Sequence, residues 1–164
     1  MSVDLNSLKE NIQSILQTAN TTTASPDLSS GLTKRVKKVL KINPSRLSIQ
    51  PSYFPFITIF IDSKDIELSD IARNQTTAKR TGTIEIKIMG SIWNNKITNI
   101  DQDDADNDCE ELMENIEEVL RANPTISNSV TWSYPSSVTY HSSRLDEESH
   151  MRAGILSLKA TVLY

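Results

Sequence analysis

The chain has 164 residues, which is long enough for one domain with a buried core and too short for two domains of ordinary size. Hydrophobic residues make up 37% and charged residues 23%, and the net charge is −4, which disfavours a dedicated nucleic-acid-binding protein because such domains are usually strongly basic. No apolar run approaches the roughly 20 residues that span a bilayer, and the opening MSVDLNSLKEN lacks a hydrophobic signal core, so we expect a cytoplasmic product with no membrane partner.

The N-terminal segment is predicted to form an amphipathic helix from Val3 to Ala19, with Asp4 or Asn6 available as its cap. Its apolar residues follow the three-then-four spacing that places them on one helix face: Leu5, Leu8, Ile12, Ile15, Leu16 and Ala19. The following stretch, Asn20 to Gly31, is rich in Ser and Thr, with Pro26 inside it. We expect it to be a polar linker that contributes nothing to the core.

A basic segment follows, from Leu32 to Ile42, and its apolar spacing favours a short basic amphipathic helix, with a strand over Val36 to Ile42 as the alternative. Its cations are candidate interface residues: Lys34, Arg35, Lys37, Lys38 and Lys41. Such a patch could bind an acidic partner or nucleic acid, or it could be the solvated face of an acidic protein.

Two strands are predicted next. Phe56 to Ile61 is apolar on both faces, which is typical of an inner strand or of one whose second face meets another subunit. Thr81 to Met89 alternates, with isoleucines on one face and polar residues on the other, so one face is core and the other is solvated or in an interface.

The polar stretch between these strands, Asp62 to Lys79, has no clean period, and connections of that length are usually functional. Its weak apolar pattern allows one turn of helix or a hairpin arm. We expect an arm that touches a neighbouring subunit or another partner, and its charged residues are further interface candidates: Asp65, Glu67, Asp70, Arg73, Lys79 and Arg80.

The clearest helix pattern runs from Asp103 to Asn123, with Pro124 stopping it. Its apolar stripe, predicted to lie on the sheet, consists of Cys109, Leu112, Met113, Ile116, Val119 and Leu120. Cys109 is therefore interpreted as a small buried hydrophobe and not as a reactive thiol. The aspartates at the start are interpreted as helix caps: Asp103, Asp104, Asp106 and Asp108. We expect Asn123 to adopt the left-handed conformation at the C-terminal cap.

The C-terminal third is predicted to be β-structure. Ser129 to Tyr134 and Val138 to Tyr140 form one bent strand or two short ones around Pro135, and Ala153 to Tyr164 forms a long final strand after a polar loop, Ser142 to His150. The fold class that follows is α+β: a single domain over residues 1–164, with a two-layer arrangement of about four mainly antiparallel strands and two amphipathic helices on one face.

Residues with catalytic or metal-binding spacing are scarce. His141 and His150 lie in polar sequence, nine residues apart, and fit solvated loop positions better than a zinc site. A calcium loop begun at Asp104 would place Cys109 where glycine is needed and Asn115 where a bidentate glutamate is needed. We therefore predict no catalytic residues, no metal and no cofactor, and a protein that is not an enzyme.

The order and local character of the segments resemble the tail terminator proteins of siphophages, which have long non-contractile tails. The stretches that carry the resemblance are FPFITIFID, RTGTIEIKIMG, the acidic helix ending in RANP, VTWSYPSSVTY and RAGILSLKATVLY. The resemblance implies a virion protein that forms a hexameric ring at the head-proximal end of the tail, caps the tail tube and ends its polymerisation. It also implies as partners further copies of the chain, the major tail tube protein, a head connector or neck protein, and DNA passing through the lumen.

Two alternatives stay open at this point. The chain could be another neck, head-completion or tail-completion protein, since such subunits share this size and mixed architecture. It could also be a small cytosolic ligand-binding α+β domain, although the convergent polar groups that such pockets need are not evident in the sequence.

Overall fold

The computed structural model describes residues 3–68, 80–94, 99–144 and 149–163. It shows two helices on one face of a five-stranded sheet, which confirms the α+β class but adds a strand to the expected number. In chain order the elements are α1 (Leu5–Ala19), β1 (Lys38–Leu40), β2 (Phe56–Leu68), β3 (Arg80–Asn94), α2 (Asn99–Arg121), β4 (Trp132–Arg144) and β5 (His150–Leu163).

The sheet has the strand order β1-β2-β3-β5-β4, so β1 and β4 form its two edges. The pairs among β2 to β5 are antiparallel, whereas β1 runs parallel to β2. The helix expected over the basic segment is wrong, and the strand alternative is correct for Lys38–Leu40. Val36 and Val39 are buried there, and Lys37 N–H donates to Pro55 O at 2.8 Å, so pairing beside β2 outweighs the weak helical pattern.

Strands β2 and β3 form a hairpin that is much longer than the predicted strands. Pairing continues through Ile66 with Gly82 and Leu68 with Arg80, so the hairpin alternative for this stretch is correct as far as Leu68, and residues 69–79 lie outside the described residues. β3 also continues to Asn94, five residues beyond the predicted end of the strand at Met89. These extensions escape a periodicity argument because backbone pairing needs no apolar side chains.

A second hairpin consists of β4 and β5. The polar loop expected from Ser142 to His150 is wrong at its two ends, because Ser142–Arg144 belongs to β4 and His150 to β5; residues 145–148 are outside the described part. β4 is continuous but its register shifts between Pro135 and Ser137, which agrees with the predicted bend. Both histidines therefore lie in strands and not in a loop; His141 is exposed on β4, as expected of a solvated histidine.

The core between helices and sheet follows the predicted apolar stripes. On α1, Leu8, Ile12 and Leu16 are fully buried, and Asp4 caps the helix by accepting from Asn6 N–H at 2.9 Å. All six residues of the predicted α2 stripe are buried, as are Ile84, Ile86 and Ile88 of β3. Each such aliphatic side chain contributes about 1.5–3 kcal/mol relative to full exposure.

Two glycines let α2 lie close to the sheet. Gly90 of β3 is paired with Gly154 of β5, and both lie beneath the α2 residues Leu112 and Met113. A Cβ atom added at Gly154 would lie 2.3 Å from Met113 Cγ, and one added at Gly90 would lie 2.9 Å from Leu112 Cδ2. The missing side chains are therefore a steric requirement of the packing.

The stretch Asn20 to Gly31 is part of the core, contrary to the prediction of an unpacked linker. Leu28 is fully buried, and the buried Asn115 of α2 donates to Leu28 O at 3.2 Å and to Ser30 O at 2.8 Å. One aliphatic anchor and one side-chain amide thus attach this polar segment to the helix.

The capping role expected for the α2 aspartates is wrong for those that the structure describes. The helix starts at Asn99, about one turn before Asp103, so the unpaired first-turn amides lie upstream of Asp104, Asp106 and Asp108. The side chain of Asp103 is outside the described part. Asp108 instead accepts from the Thr33 hydroxyl at 3.2 Å, and Asp106 Oδ1 lies 3.0 Å from Arg152 Nε in an ion pair.

The C-terminal end of α2 also differs from the prediction. The described non-glycine residues with positive φ are Ile126, Ser127 and Asn128, so the left-handed turn comes after Pro124 and not at Asn123. Asn123 instead donates from its side chain to Val119 O at 2.8 Å, which satisfies one of the last helix carbonyls.

Gly154→Ala should lower the free energy of unfolding by about 1–3 kcal/mol, because the new methyl group overlaps Met113. In a Met113→Ala background the same substitution should cost much less, since the obstructing atoms are gone. Urea unfolding of the four proteins of this cycle measures the difference. An equal cost in both backgrounds would show that the helix does not approach the sheet as described.

Asn115→Ala should cost about 1–3 kcal/mol, because two carbonyls of the Asn20 to Gly31 stretch lose their donor. Asn107→Ala on the same helix is the matched control, since Asn107 is exposed, and it should leave stability within about 0.5 kcal/mol. Thermal unfolding of both variants compares them, and similar losses in the two would contradict the anchoring role of Asn115.

Candidate assembly surfaces

The basic segment lies at the β1 edge, and three of its five cations are engaged within the subunit. The Arg35 guanidinium pairs with both oxygens of Asp27, at 3.0 and 2.8 Å. Lys41 Nζ lies 2.7 Å from Glu10 Oε1 on α1. Lys38 Nζ sits 4.3 Å from the centre of the Tyr53 ring, a cation–π contact.

These ion pairs shift the titration of their carboxylates. The hydrogen bonds from Arg35 hold the pKa of Asp27 below its usual value, and those from Lys41 do the same for the pKa of Glu10. The pairs therefore hold the Asn20 to Gly31 stretch and α1 against the β1 edge. Lys34 and Lys37 are exposed and have no ion-pair partner among the described residues, so they are the cations of this segment that are available to a partner.

The candidates of the β2–β3 hairpin are only partly described. Asp65 is exposed on β2. Glu67 and Arg80 occupy paired strand positions, but their side chains are outside the described part, as are Asp70, Arg73 and Lys79 altogether. Close to them, Ile66 is 55% exposed, which makes it an apolar residue, in the described part of this arm, that a partner could cover.

The far face of the sheet, opposite the helices, is closed at one end and polar at its centre. At the closed end, the chain around Leu47, Tyr53 and Phe54 packs over Phe56 and Met89. At the centre, Lys87 Nζ lies 2.7 Å from Glu85 Oε1, and the Ser157 hydroxyl donates to the same oxygen at 3.0 Å.

The polar groups of this central network form hydrogen bonds with one another. Hydrogen bonds from Lys87 and Ser157 lower the pKa of Glu85, so its carboxylate is held ionised, and Lys87 also donates to Ser157. Glu85 and Lys87 are half-buried, whereas Thr83 on the same face is exposed. The polar face predicted for β3 is therefore solvated at Thr83 and structural at Glu85 and Lys87.

An exposed apolar patch lies at the opposite end of the far face, on β4 and β5. We define it by Trp132, Tyr134 and Leu163, which are 54%, 46% and 53% exposed. Trp132 pairs with Thr161 and Tyr134 with Lys159, which brings the three side chains to one surface. The sequence analysis placed these aromatics in a strand but did not nominate them as site residues. The sequence feature that could have identified this patch is the alternating aromatic pair in TWSY, since no helix was predicted to lie over those two side chains.

Metal-binding side chains do not cluster among the described residues. No group of three His, Cys, Asp or Glu side chains is arranged to hold a metal ion within the described ranges. Cys109 is buried, as expected, and burial raises the pKa of its thiol to about 12, so it remains a protonated thiol near neutral pH. No helix in these ranges is long and apolar enough to span a membrane.

A shallow depression of about 350 Å³ lies between the C-terminal ends of α1 and α2. Its walls carry small, apolar, hydroxyl or amide side chains, among them Ser14, Thr18, Ser25 and Asn123, and none of the residues that line it is ionisable. Such a lining could hold a small neutral molecule, but it provides no acid, base or charged anchor.

Arg35→Glu should clearly lower the free energy of unfolding at neutral pH, because it places a second carboxylate against Asp27. Lys34→Glu makes the same charge change one residue away and should stay within about 0.5 kcal/mol of the wild type. Urea unfolding at pH 7 measures both. Equal effects would mean that Arg35 is as free as Lys34.

The same pair predicts a dependence on acid. Because the pKa of Asp27 is depressed in the folded state, its stabilisation is complete above the unfolded value of 3.8 and is lost as the pH falls through the lower folded value. The stability difference between wild type and Asp27→Asn should therefore shrink below pH 3.8. A constant difference across that range would exclude the pair as its cause.

No protein-family model matches the chain, and no curated protein matches it. Among solved structures, a chain from the "Virion of native gene transfer agent (GTA) particle" is similar over 93% of this chain and 94% of that one, with 11% sequence identity and a TM-score of 0.36. Similarity at this level does not by itself define a shared fold or a shared function.

Proposed function

We propose that the chain is a virion assembly protein that forms a ring on the end of the tail tube, ends tube polymerisation and provides the surface for head–tail joining. The observation that carries the proposal is the exposed apolar patch of Trp132, Tyr134 and Leu163 beside the unpaired edge of β4. The order of segments that resembles tail terminator proteins supports the specific role.

The apolar patch is suited to protein–protein contact for energetic reasons. Tryptophan and tyrosine are the residues that most often dominate binding free energy at interfaces, since each removes a large area from water without losing much conformational freedom. Here they stand on a rigid strand paired along its length with β5, so their positions are fixed before a partner arrives. The described surface thus favours binding to another protein over chemistry on a small molecule, and we propose that the chain is not an enzyme.

The shape of the subunit agrees with this role. Two sheet edges face in opposite directions, and the β2–β3 hairpin carries an exposed isoleucine, so one copy presents several separate contact surfaces. A ring subunit needs at least two contacts with its neighbours and a further one with the tube or the connector. A neck or tail-completion protein would need the same set, and it is the second candidate.

Electron microscopy of the purified chain with tail tubes tests the proposal and separates these candidates. We expect rings bound to tube ends and shorter tubes when the chain is added during polymerisation. Rings that bind head connectors but leave tube length unchanged would favour the second candidate. Absence of both kinds of binding would overturn the proposal.

Ile66→Lys should weaken binding to tubes or neighbouring copies while leaving the fold intact, because Ile66 is already 55% exposed. Ile66→Val keeps an apolar side chain at the same position and should bind like the wild type. Co-sedimentation with tubes and light scattering of the free chain measure binding, and circular dichroism checks the fold. Equal binding by the two variants would remove the hairpin from the contact surfaces.

A further inference from the structure

We propose that the two edges of the sheet are complementary docking surfaces, so that the β4 edge of one copy binds the β1 edge of the next. The inference rests on the proposed function only in assuming that copies of the chain assemble, and it names the surfaces that meet.

The β4 edge is flanked by a row of carboxylates on α2. Glu110, Glu114 and Glu117 recur at spacings of four and three residues and so lie on one side of the helix. That side faces β4, because Asp106, four residues before Glu110, pairs at 3.0 Å with Arg152, which in turn donates to Ser142 of β4 at 2.6 Å. Glu110 and Glu114 are exposed and have no ion-pair partner in the described ranges, whereas Glu117 pairs with Arg121.

The β1 edge carries the opposite charge. Lys34, Lys37 and Lys38 are exposed there, and Arg46 is exposed beside Lys41 in the turn that follows β1. Of the described carboxylates close to this edge, Asp27 and Glu10 are already paired with Arg35 and Lys41, and Asp108, which accepts from Thr33, is outnumbered by the four exposed cations. The edge therefore keeps a net positive charge that is not neutralised within the subunit.

The two charged edges cannot satisfy each other within one copy. Three strands separate β1 from β4, and at about 4.8 Å per strand spacing the edges lie on the order of 19 Å apart. This exceeds the Debye length of about 8 Å at physiological ionic strength, so attraction between them inside one subunit is screened. Contact between copies removes that separation, and because the two surfaces differ, the contact is head to tail and can close into a ring.

A second copy explains more of the surface than nucleic acid does. Nucleic acid would use the cations of the β1 edge but would leave Glu110 and Glu114 unpartnered. A second copy uses both edges at once. It also brings lysines towards Trp132 and Tyr134, which flank the same β4 edge and can accept a cation over their rings.

Paired charge reversals test the contact. Glu110→Lys with Glu114→Lys makes both edges positive, and Lys34→Glu with Lys37→Glu makes both edges negative. Each double variant alone should assemble at least about tenfold more weakly than the wild type at low salt, as measured by sedimentation velocity. An equimolar mixture of the two should recover assembly, because every edge then meets an edge of opposite charge.

Matched single changes control for charge alone. Asp104→Lys alters an exposed residue of the same helix that lies four residues before Asp108, on the side that faces Thr33, and should assemble like the wild type, whereas Glu114→Lys should be impaired. Wild-type assembly should also weaken as salt is raised.

Several results would overturn the proposal: a wild-type chain that stays monomeric at every salt concentration, double variants that assemble normally, or a mixture that fails to recover assembly. Normal assembly of Lys34→Glu with Lys37→Glu, together with lost binding to a short DNA duplex, would reassign the β1 edge to nucleic acid. These outcomes are separate from the tube-end test, since rings can form by this contact and still fail to cap tubes.

Discussion

The close approach of α2 to the sheet is the contact on which the rest of the structure depends. Gly90 and Gly154 face each other across β3 and β5, and the space above them is filled by Leu112 and Met113. The helix that settles there carries Asn115 and Asp108, which hold the chain between α1 and β1 in place. The position of the basic segment therefore depends on α2. The position of α2 depends in turn on the two glycines beneath it.

Sequence periodicity was sufficient for the elements that bury one face. The stripe of α2 and the alternating isoleucines of β3 are buried as expected, and the α1 stripe is buried along its centre at Leu8, Ile12 and Leu16, because a helix or strand with one apolar face has few ways to remove it from water. It failed where pairing is set by the backbone, as in β2 beyond Ile61 and β5 before Ala153. It also failed at β1, where three residues gain their strand conformation from a neighbour that is remote in sequence.

The sequence predicted which residue types the candidate surfaces contain, but not which of these side chains are free to contact a partner. The cations of the basic segment were evident from the sequence, yet Arg35 and Lys41 are paired by Asp27 and Glu10, residues 8 and 31 positions away. The aspartates of α2 were predicted to be helix caps, but only residues at the start of a helix can cap it, and α2 starts at Asn99, before these aspartates. Trp132 and Tyr134 were placed in a strand, but only the sheet order shows that no other element covers them.

The irregularity in β4 limits the kind of polymer that the subunit can build. A 13-residue edge strand, paired on one side only, is a template for continuous hydrogen bonding with another strand, the route by which exposed edges nucleate fibrils. Pro135 has no N–H to donate, and the register shift beside it breaks the repeat of donors and acceptors along that edge. Cross-strand growth is thereby interrupted from the fourth residue of β4, so neighbours must recognise one another through side chains, whose fixed geometry favours assemblies of defined size over open-ended aggregates.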